Sequence, residues 1–323
     1  MRTSLRHTLV LTAALAVAIG SSVPAPAAGN SDAANSEGEV VAPRRGCDAR
    51  VSSGKALRRA INRRPQGATI CLSGTIRIKA ELEPKHRQVF VGPAALRPTQ
   101  GRVEQGFDLD KASGVVIRRL NISGFALRAI RCGRKALITR SRLHHNGRNG
   151  IGGGNCAGLR IVRNEIDHNG DAHHLGSGSS GVKLAGDADH TTVIRNYVHH
   201  NIGNGLWWDA DARDALASRN KIIGNTRKGI NYEVSGGPAI FRHNVVRRNN
   251  REGHRDSAGI MVTSSRNVRI VYNILGRNRN AGIKIDNAGG RGFPLEDIFV
   301  AHNRLRGDEI RCDEGRNIRC QRR

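Results

Sequence analysis

Through most of this chain apolar residues alternate with polar ones, as in Gly229-Ile230-Asn231-Tyr232-Glu233. A period of two is that of a half-buried strand, and no stretch inside the pattern keeps a helical period for three turns. The strands are short and come in groups marked by a recurring motif: Asn, any residue, an aliphatic, two more residues, Asn. It reads Asn164-Glu-Ile-Asp-His-Asn169, Asn196-Tyr-Val-His-His-Asn201, Asn220-Lys-Ile-Ile-Gly-Asn225, Asn244-Val-Val-Arg-Arg-Asn249 and Asn273-Ile-Leu-Gly-Arg-Asn278. Weaker copies begin at Ser141 and Asn303, so the steps between units are 23, 32, 24, 24, 29 and 30 residues. A Gly-aliphatic pair follows each unit but the last, at Gly150-Ile151, Gly181-Val182, Gly205-Leu206, Gly229-Ile230, Gly259-Ile260 and Gly282-Ile283. A base period near 24 residues means stacked units too small to bury an apolar face alone. Three short strands and three turns per unit predict one rung of a solenoid. Asn at the same corner of successive rungs predicts a hydrogen-bonded ladder, its side chain tolerating left-handed backbone and bonding neighbouring backbone groups.

On this Asn-ladder repeat and the Gly-aliphatic strands, the chain resembles the right-handed parallel β-helix proteins of the pectate-lyase-like superfamily, the secreted bacterial Asn-ladder type. The resemblance covers roughly Ala68 to Asp308. It implies an all-β, single-stranded right-handed parallel β-helix of about eight coils. It does not imply one activity, because the superfamily holds lyases, hydrolases, epimerases and non-enzymatic binders. Ser53 to Asn62 places Ala56, Leu57, Ala60 and Ile61 on one face, which predicts a short N-terminal capping helix with Ser52 or Ser53 as N-cap.

The ends set the compartment. Arg2 and Arg6 precede the apolar run Leu9 to Ile19, and Ala25-Pro26-Ala27 offers a cleavage site, so 1–27 reads as a signal peptide. That run is too short for a permanent membrane anchor. Residues 28–45, rich in Ser, Asn, Glu and Pro, read as a disordered linker, and 46–323 as the β-helix domain with a disulfide-closed C-terminal end. The expected location is extracellular. Six cysteines in an exported chain predict disulfides. Spacing pairs Cys132 with Cys156 one coil apart, Cys47 with Cys71 across the N-terminal cap, and Cys312 with Cys320 at the other end. The net charge of +26, mostly from Arg, points to an extracellular polysaccharide partner, an acidic one by charge, rather than to nucleic acid.

Aligning the Gly-aliphatic strands gives a surface map, because residues after each Gly alternate outward and inward. One outward column is Lys183, Trp207, Asn231, Met261 and Lys284; the next is Ala185, Asp209, Glu233, Thr263 and Asp286. Between them Leu184, Trp208, Tyr232, Val262 and Ile285 point inward. Aromatics are 3% of the chain, so the grouping of Trp207, Trp208 and Tyr232 stands out. Trp207 is expected to be an exposed sugar-stacking platform, Trp208 and Tyr232 core. Asp209 and Glu233 fall on adjacent strands about 4.8 Å apart, a spacing that suits a retaining glycosidase pair with split pKa values. They are the expected catalytic residues, with Trp207, Lys183, Asn231, Lys284 and Asp286 holding substrate.

The expected function is a secreted carbohydrate-active protein cleaving a polysaccharide in a groove on the β-helix. The alternatives are a uronate lyase with Lys183 or Lys284 as base, and a non-catalytic polysaccharide-binding solenoid. No cofactor is required; calcium belongs to the lyase alternative, with Asp209, Asp211 and Asp214 as its cluster. His145, His168 and His200 recur at one position on three rungs and form a further metal candidate. His173-His174 lie on the long insertion, an expected lid.

Overall fold

A computed structural model of the chain describes residues 46–99, 103–171, 178–287 and 292–321. The expected signal peptide 1–27 and linker 28–45, and His173 and His174 of the expected lid, lie outside the described residues. Alternation resolves into parallel strands throughout. One sheet has nine, in chain order Gln105–Asp108, Arg128–Arg131, Asn149–Asn155, Ser180–Asp187, Asn204–Asp209, Ile230–Glu233, Ile260–Thr263, Ile283–Asp286 and Ile310–Cys312. Each pairs with the next, so the sheet climbs one strand per rung. The other sheet has twenty strands. Most rungs give it two: Arg160–Val162 and Glu165–Asp167, then Thr192–Ile194 and Tyr197–His199. The chain is therefore the right-handed parallel β-helix that the repeat predicts. The first two strands of its nine-stranded sheet precede the first copy of the Asn motif.

The Asn ladder is complete and reaches across every rung of the motif. The backbone N–H and Nδ2 of Asn164 both donate to Oδ1 of Asn196, at 2.8 and 3.1 Å. Asn196 donates likewise to Asn220, Asn220 to Asn244, Asn244 to Asn273 and Asn273 to Asn303. A second ladder runs from Asn146 through Asn169, Asn201, Asn225, Asn249 and Asn278 to Asp308. The other Nδ2 hydrogen reaches a carbonyl of the neighbouring rung, as from Asn220 to Val193 O at 2.8 Å. The left-handed conformation expected of Asn belongs instead to the residue before it. Arg163, Arg195, Arg219, His243 and Tyr272 have φ of 58, 57, 56, 54 and 56°. The reason is division of labour: the corner residue turns the chain, leaving Asn extended and aimed along the stack.

The glycine of the Gly-aliphatic pair is fixed by that ladder. A Cβ on Gly229 would stand 2.5 Å from Gly259 O, 2.7 Å from Val246 Cγ1 and 2.9 Å from Asn249 Nδ2. Gly229 and Ile230 thus both face the interior, and the alternation restarts after them. The core is the continuous interior column expected, with Leu184, Trp208, Tyr232, Val262 and Ile285 fully buried. Trp208 Nε1 donates to Thr191 Oγ1 (2.8 Å), and the Tyr232 hydroxyl donates to Ala212 O (2.7 Å). Both polar tips are satisfied, as burial of such side chains requires.

The capping helix is Gly54–Arg63, with Ser53 accepting from Ala56 N and Leu57, Ala60 and Ile61 buried in the same core. All three disulfides are present: Cys47–Cys71, Cys132–Cys156 and Cys312–Cys320. Among the described residues no helix is long and apolar enough to cross a membrane.

Candidate functional site

The nine-stranded sheet places its outward columns in the register that the sequence predicts. Lys183 pairs with Trp207, Trp207 with Asn231, Asn231 with Met261 and Met261 with Lys284. In the next column Ala185 pairs with Asp209, Glu233 with Thr263 and Thr263 with Asp286. Lys183, Trp207, Asp209, Glu233, Lys284 and Asp286 are part-buried, whereas Asn231 and Thr263 are buried.

The charged side chains, Trp207 and Asn231 each already have a partner on the sheet, whereas Thr263 has none. Lys183 Nζ lies 3.0 Å from Asp209 Oδ2 and 3.4 Å from the centroid of the Trp207 ring. A Cβ on Gly178 would come within 3.2 Å of Trp207 Cζ3, so backbone also passes over the indole. Trp207 is therefore covered where an exposed platform was expected, because the long Lys183 stem lies along the neighbouring rung. Asn231 Nδ2 donates to Glu233 Oε2 at 2.9 Å. Lys284 Nζ pairs with Asp286 (2.9 Å) and approaches Asp256 (3.7 Å). Both lysines named for the lyase alternative thus stand in ion pairs with carboxylates of their own sheet.

Three polar atoms on consecutive rungs are left over. Trp207 Nε1, Asn231 Oδ1 and Thr263 Oγ1 are buried and find no hydrogen-bond partner. Such orphans are costly unless something outside the chain completes them.

Lys228 is the residue that sequence reasoning missed. The restart at Gly229-Ile230 breaks simple alternation, so counting from the Gly-aliphatic pair passed over the position before it. Its backbone N–H donates to Asn204 Oδ1 (3.1 Å), which fixes it one rung above Asn204. Burial lowers its pKa below the usual lysine range, opposed by Glu233 and reinforced by Arg227. Asp256 and Asp286 act on it as well. The signal was present in the motif, since Lys228 directly precedes a Gly-aliphatic pair.

The calcium cluster does not assemble. Asp209 goes to Lys183, Asp211 to Arg213 (2.6 Å) and Asp214 to His190 (2.9 Å), so each carboxylate has its own side-chain partner. The hydrogen bond and charge of Arg213 hold the Asp211 carboxyl below its ordinary range.

On the twenty-stranded sheet, His145, His168 and His200 do stack, with ring centroids 5.1 and 5.5 Å apart and planes within 9 and 11°. Parallel rings at that separation present parallel lone pairs, which do not converge on one ion. The groups whose donor atoms come within 4.8 Å of one another are instead His144, His145 and Asp167, and Glu165, Asp167 and His199. Asp167 is fully buried, held by Arg142 Nε and Nη2 at 3.0 and 2.9 Å and by His168 Nδ1 at 2.8 Å. Burial alone would raise its pKa, but these hydrogen bonds and the Arg142 charge bring it to about 2. Burial, aided by the Arg142 charge, lowers His144 to about 4.

A family model described as a right handed beta helix region matches residues 105–255. Among solved structures, the chain is similar to XylC in complex with xylose, with a TM-score of 0.53 and 16% identity, over 68% of this chain and 39% of that one. It is also similar to a mutant of the periplasmic alginate epimerase AlgG, with a TM-score of 0.53 and 13% identity, over 84% of each chain. The Dettilon tailspike protein gives a TM-score of 0.51 and 13% identity over 80% of this chain and 64% of that one. The chain thus spans well under half the length of the XylC structure. Among curated protein sequences none matches it. At these identities the likeness establishes the fold.

Proposed function

We propose that this right-handed parallel β-helix protein, which fits the pectate-lyase-like superfamily, is an exported protein that binds and cleaves a polysaccharide along its nine-stranded sheet. The observation that carries the reading is the row of polar side chains Trp207, Asn231 and Thr263 on consecutive rungs, beside the part-buried carboxylates of Asp209 and Glu233. A hydroxyl-rich chain lying along the rungs supplies both donors and acceptors for such a row. Neighbours of the same fold whose names include alginate epimerase and a xylose complex agree with a sugar ligand. Three disulfides agree with an oxidising compartment, and the net charge of +26 with an acidic polymer.

In this reading Asp209, ion-paired with Lys183 at 3.0 Å, attacks the anomeric carbon. Glu233, one rung on and oriented by Asn231, gives its proton to the departing glycosidic oxygen. It then takes one from water as the glycosyl-enzyme is hydrolysed. A second reading, β-elimination from a uronic acid polymer, is favoured by Lys228. A lysine whose proton is loosened by burial is a suitable base for the hydrogen at C5.

The test is digestion of neutral and acidic polysaccharides by wild type and by Asp209→Asn, Glu233→Gln and Lys228→Met, reading reducing ends and ultraviolet absorbance of unsaturated uronates. Reducing ends without absorbance, lost in the first two variants, support hydrolysis. Unsaturated product lost only in Lys228→Met replaces it with elimination. Binding to an acidic polymer with no product from any of them overturns both and leaves a binding solenoid.

A further inference from the structure

The twenty-stranded sheet carries a separate concentration of ligand-type side chains. On three consecutive rungs an inner residue (His144, Asp167 or His199) meets Nδ1 of an outer imidazole (His145, His168 or His200), at 2.7, 2.8 and 2.8 Å. The middle contact is an imidazole donating to a carboxylate. The contacts at His144 and at His199 differ, because at each of them two Nδ1 atoms meet head-on.

The geometry fixes what His144 offers. Its Nε2 lies 2.8 Å from Asn121 Oδ1, an acceptor that also receives Arg97 Nη1 at 3.1 Å. Nε2 therefore carries the proton, and Nδ1 presents a lone pair towards His145. The two rings stand at 86° with centroids 5.0 Å apart, so their Nδ1 atoms converge on one point. Asp167 belongs to the same group, a carboxylate oxygen lying within 4.8 Å of a ring nitrogen of each histidine. An ionised carboxylate has about four acceptor sites. Arg142 Nε occupies one on Oδ1; Arg142 Nη2 and His168 Nδ1 occupy those on Oδ2. One site on Oδ1 is left.

We infer that His144 Nδ1, His145 Nδ1 and Asp167 Oδ1 form a site for a transition-metal dication of the zinc class, the ion replacing the proton shared by the two imidazoles. Two imidazoles and one carboxylate are a three-ligand set that leaves the fourth tetrahedral position to water. Nitrogen donors select borderline metals over calcium or magnesium. Asn121 orients His144 while Arg142 and His168 orient Asp167, the outer support that metal ligands need. The imidazole nitrogens must open slightly, because two at zinc's bonding distance stand about 3.3 Å apart. His145 is exposed at a corner and has room to move. The site shares no residue with the nine-stranded sheet, so it stands or falls independently of the polysaccharide reading.

The test is titration of untagged protein at neutral pH with Zn²⁺ by calorimetry and with Co²⁺ by visible absorption. One Co²⁺ per chain in a four- or five-coordinate nitrogen–oxygen spectrum is expected. Affinity should fall at least ~tenfold in His145→Asn and in His144→Gln. Asparagine tolerates the left-handed corner at 145, where φ is 52°, and circular dichroism checks that the fold persists. His243→Asn, at an exposed corner outside the cluster, should bind as wild type does. Wild type taking up no stoichiometric ion, or His145→Asn binding Co²⁺ as tightly as wild type, overturns the site and leaves an imidazole–imidazole hydrogen bond.

Discussion

Asn220 and Arg219 are neighbours in sequence, and substitution should affect them in opposite degrees. Asn220 is buried with all of its amide engaged. Oδ1 accepts from Asn196 N (2.9 Å) and Nδ2 (3.0 Å), and Nδ2 donates to Asn244 Oδ1 (3.0 Å) and Val193 O (2.8 Å). In Asn220→Ala the Asn196 N–H loses its acceptor inside a stack that water does not enter, whereas Val193 O loses one donor but stays in the parallel ladder beside Ser218. Asn196 Nδ2 keeps Ile161 O, and Asn244 Oδ1 keeps the backbone N–H of residue 220, so these two are not orphaned. At about 1–3 kcal/mol for the buried orphan, with the lost bond to Val193 O and the lost packing added, the change should cost about 2–4 kcal/mol. Asn220→Asp should be no milder, since it places an oxygen against Asn244 Oδ1 and Val193 O. Arg219→Asn removes an exposed side chain at a φ of 56° that Asn adopts readily, so its effect should stay within about 0.5 kcal/mol. Urea unfolding followed by far-ultraviolet circular dichroism measures all three. A loss below about 1 kcal/mol in Asn220→Ala would refute the ladder as a source of stability.

Gly229→Ala should destabilise by about 1–3 kcal/mol through overpacking, since the methyl group would meet Val246 and the Asn249 amide, and urea midpoints would show it. Removing the Cys132–Cys156 bridge by a double Cys→Ala substitution opens a loop of 24 residues and should cost about 3 kcal/mol, read from the same curves. Stability should also fall with acid in two stages. The His144 pKa drops from 6.5 to about 4 on folding, so between those values the unfolded chain takes up a proton that the folded chain refuses, and stability declines as pH falls. The Asp167 pKa drops from 3.8 to about 2, so its contribution is present above about pH 4 and lost towards pH 2. Thermal midpoints against pH should fall less steeply between pH 6.5 and 4 in His144→Gln; parallel slopes would contradict the assignment.

Period and spacing were enough to read the rungs, the inward column through Trp208 and Tyr232, the capping helix and the three disulfides. All of these follow from backbone geometry, which repeats. What could not be read depends on how far a side chain reaches across a rung. Lys183 lying over Trp207 and Lys284 paired with Asp286 are set by stem length and rotamer, which an alternation pattern does not encode. The left-handed corner was assigned to Asn by its general preference. The ladder demands more of the Asn side chain than the turn does, so the corner passed to whichever residue precedes it. Asp167 and His144 are not marked by the recurrence of His at the outer position, although Asp167 is the buried carboxylate of the cluster.

The corner columns have a consequence for how such a chain can change over time. Because Asn holds the stack and the residue before it only turns and projects outward, Arg163, Arg195, Arg219, His243, Tyr272 and His302 form an exposed single file whose chemistry shifts from guanidinium to stacked rings, with Tyr272 51% exposed. Each position in the file can change without disturbing the interior, among residue types that accept the left-handed backbone. A solenoid built this way can drift from one recognition surface to another by single substitutions, every intermediate remaining folded.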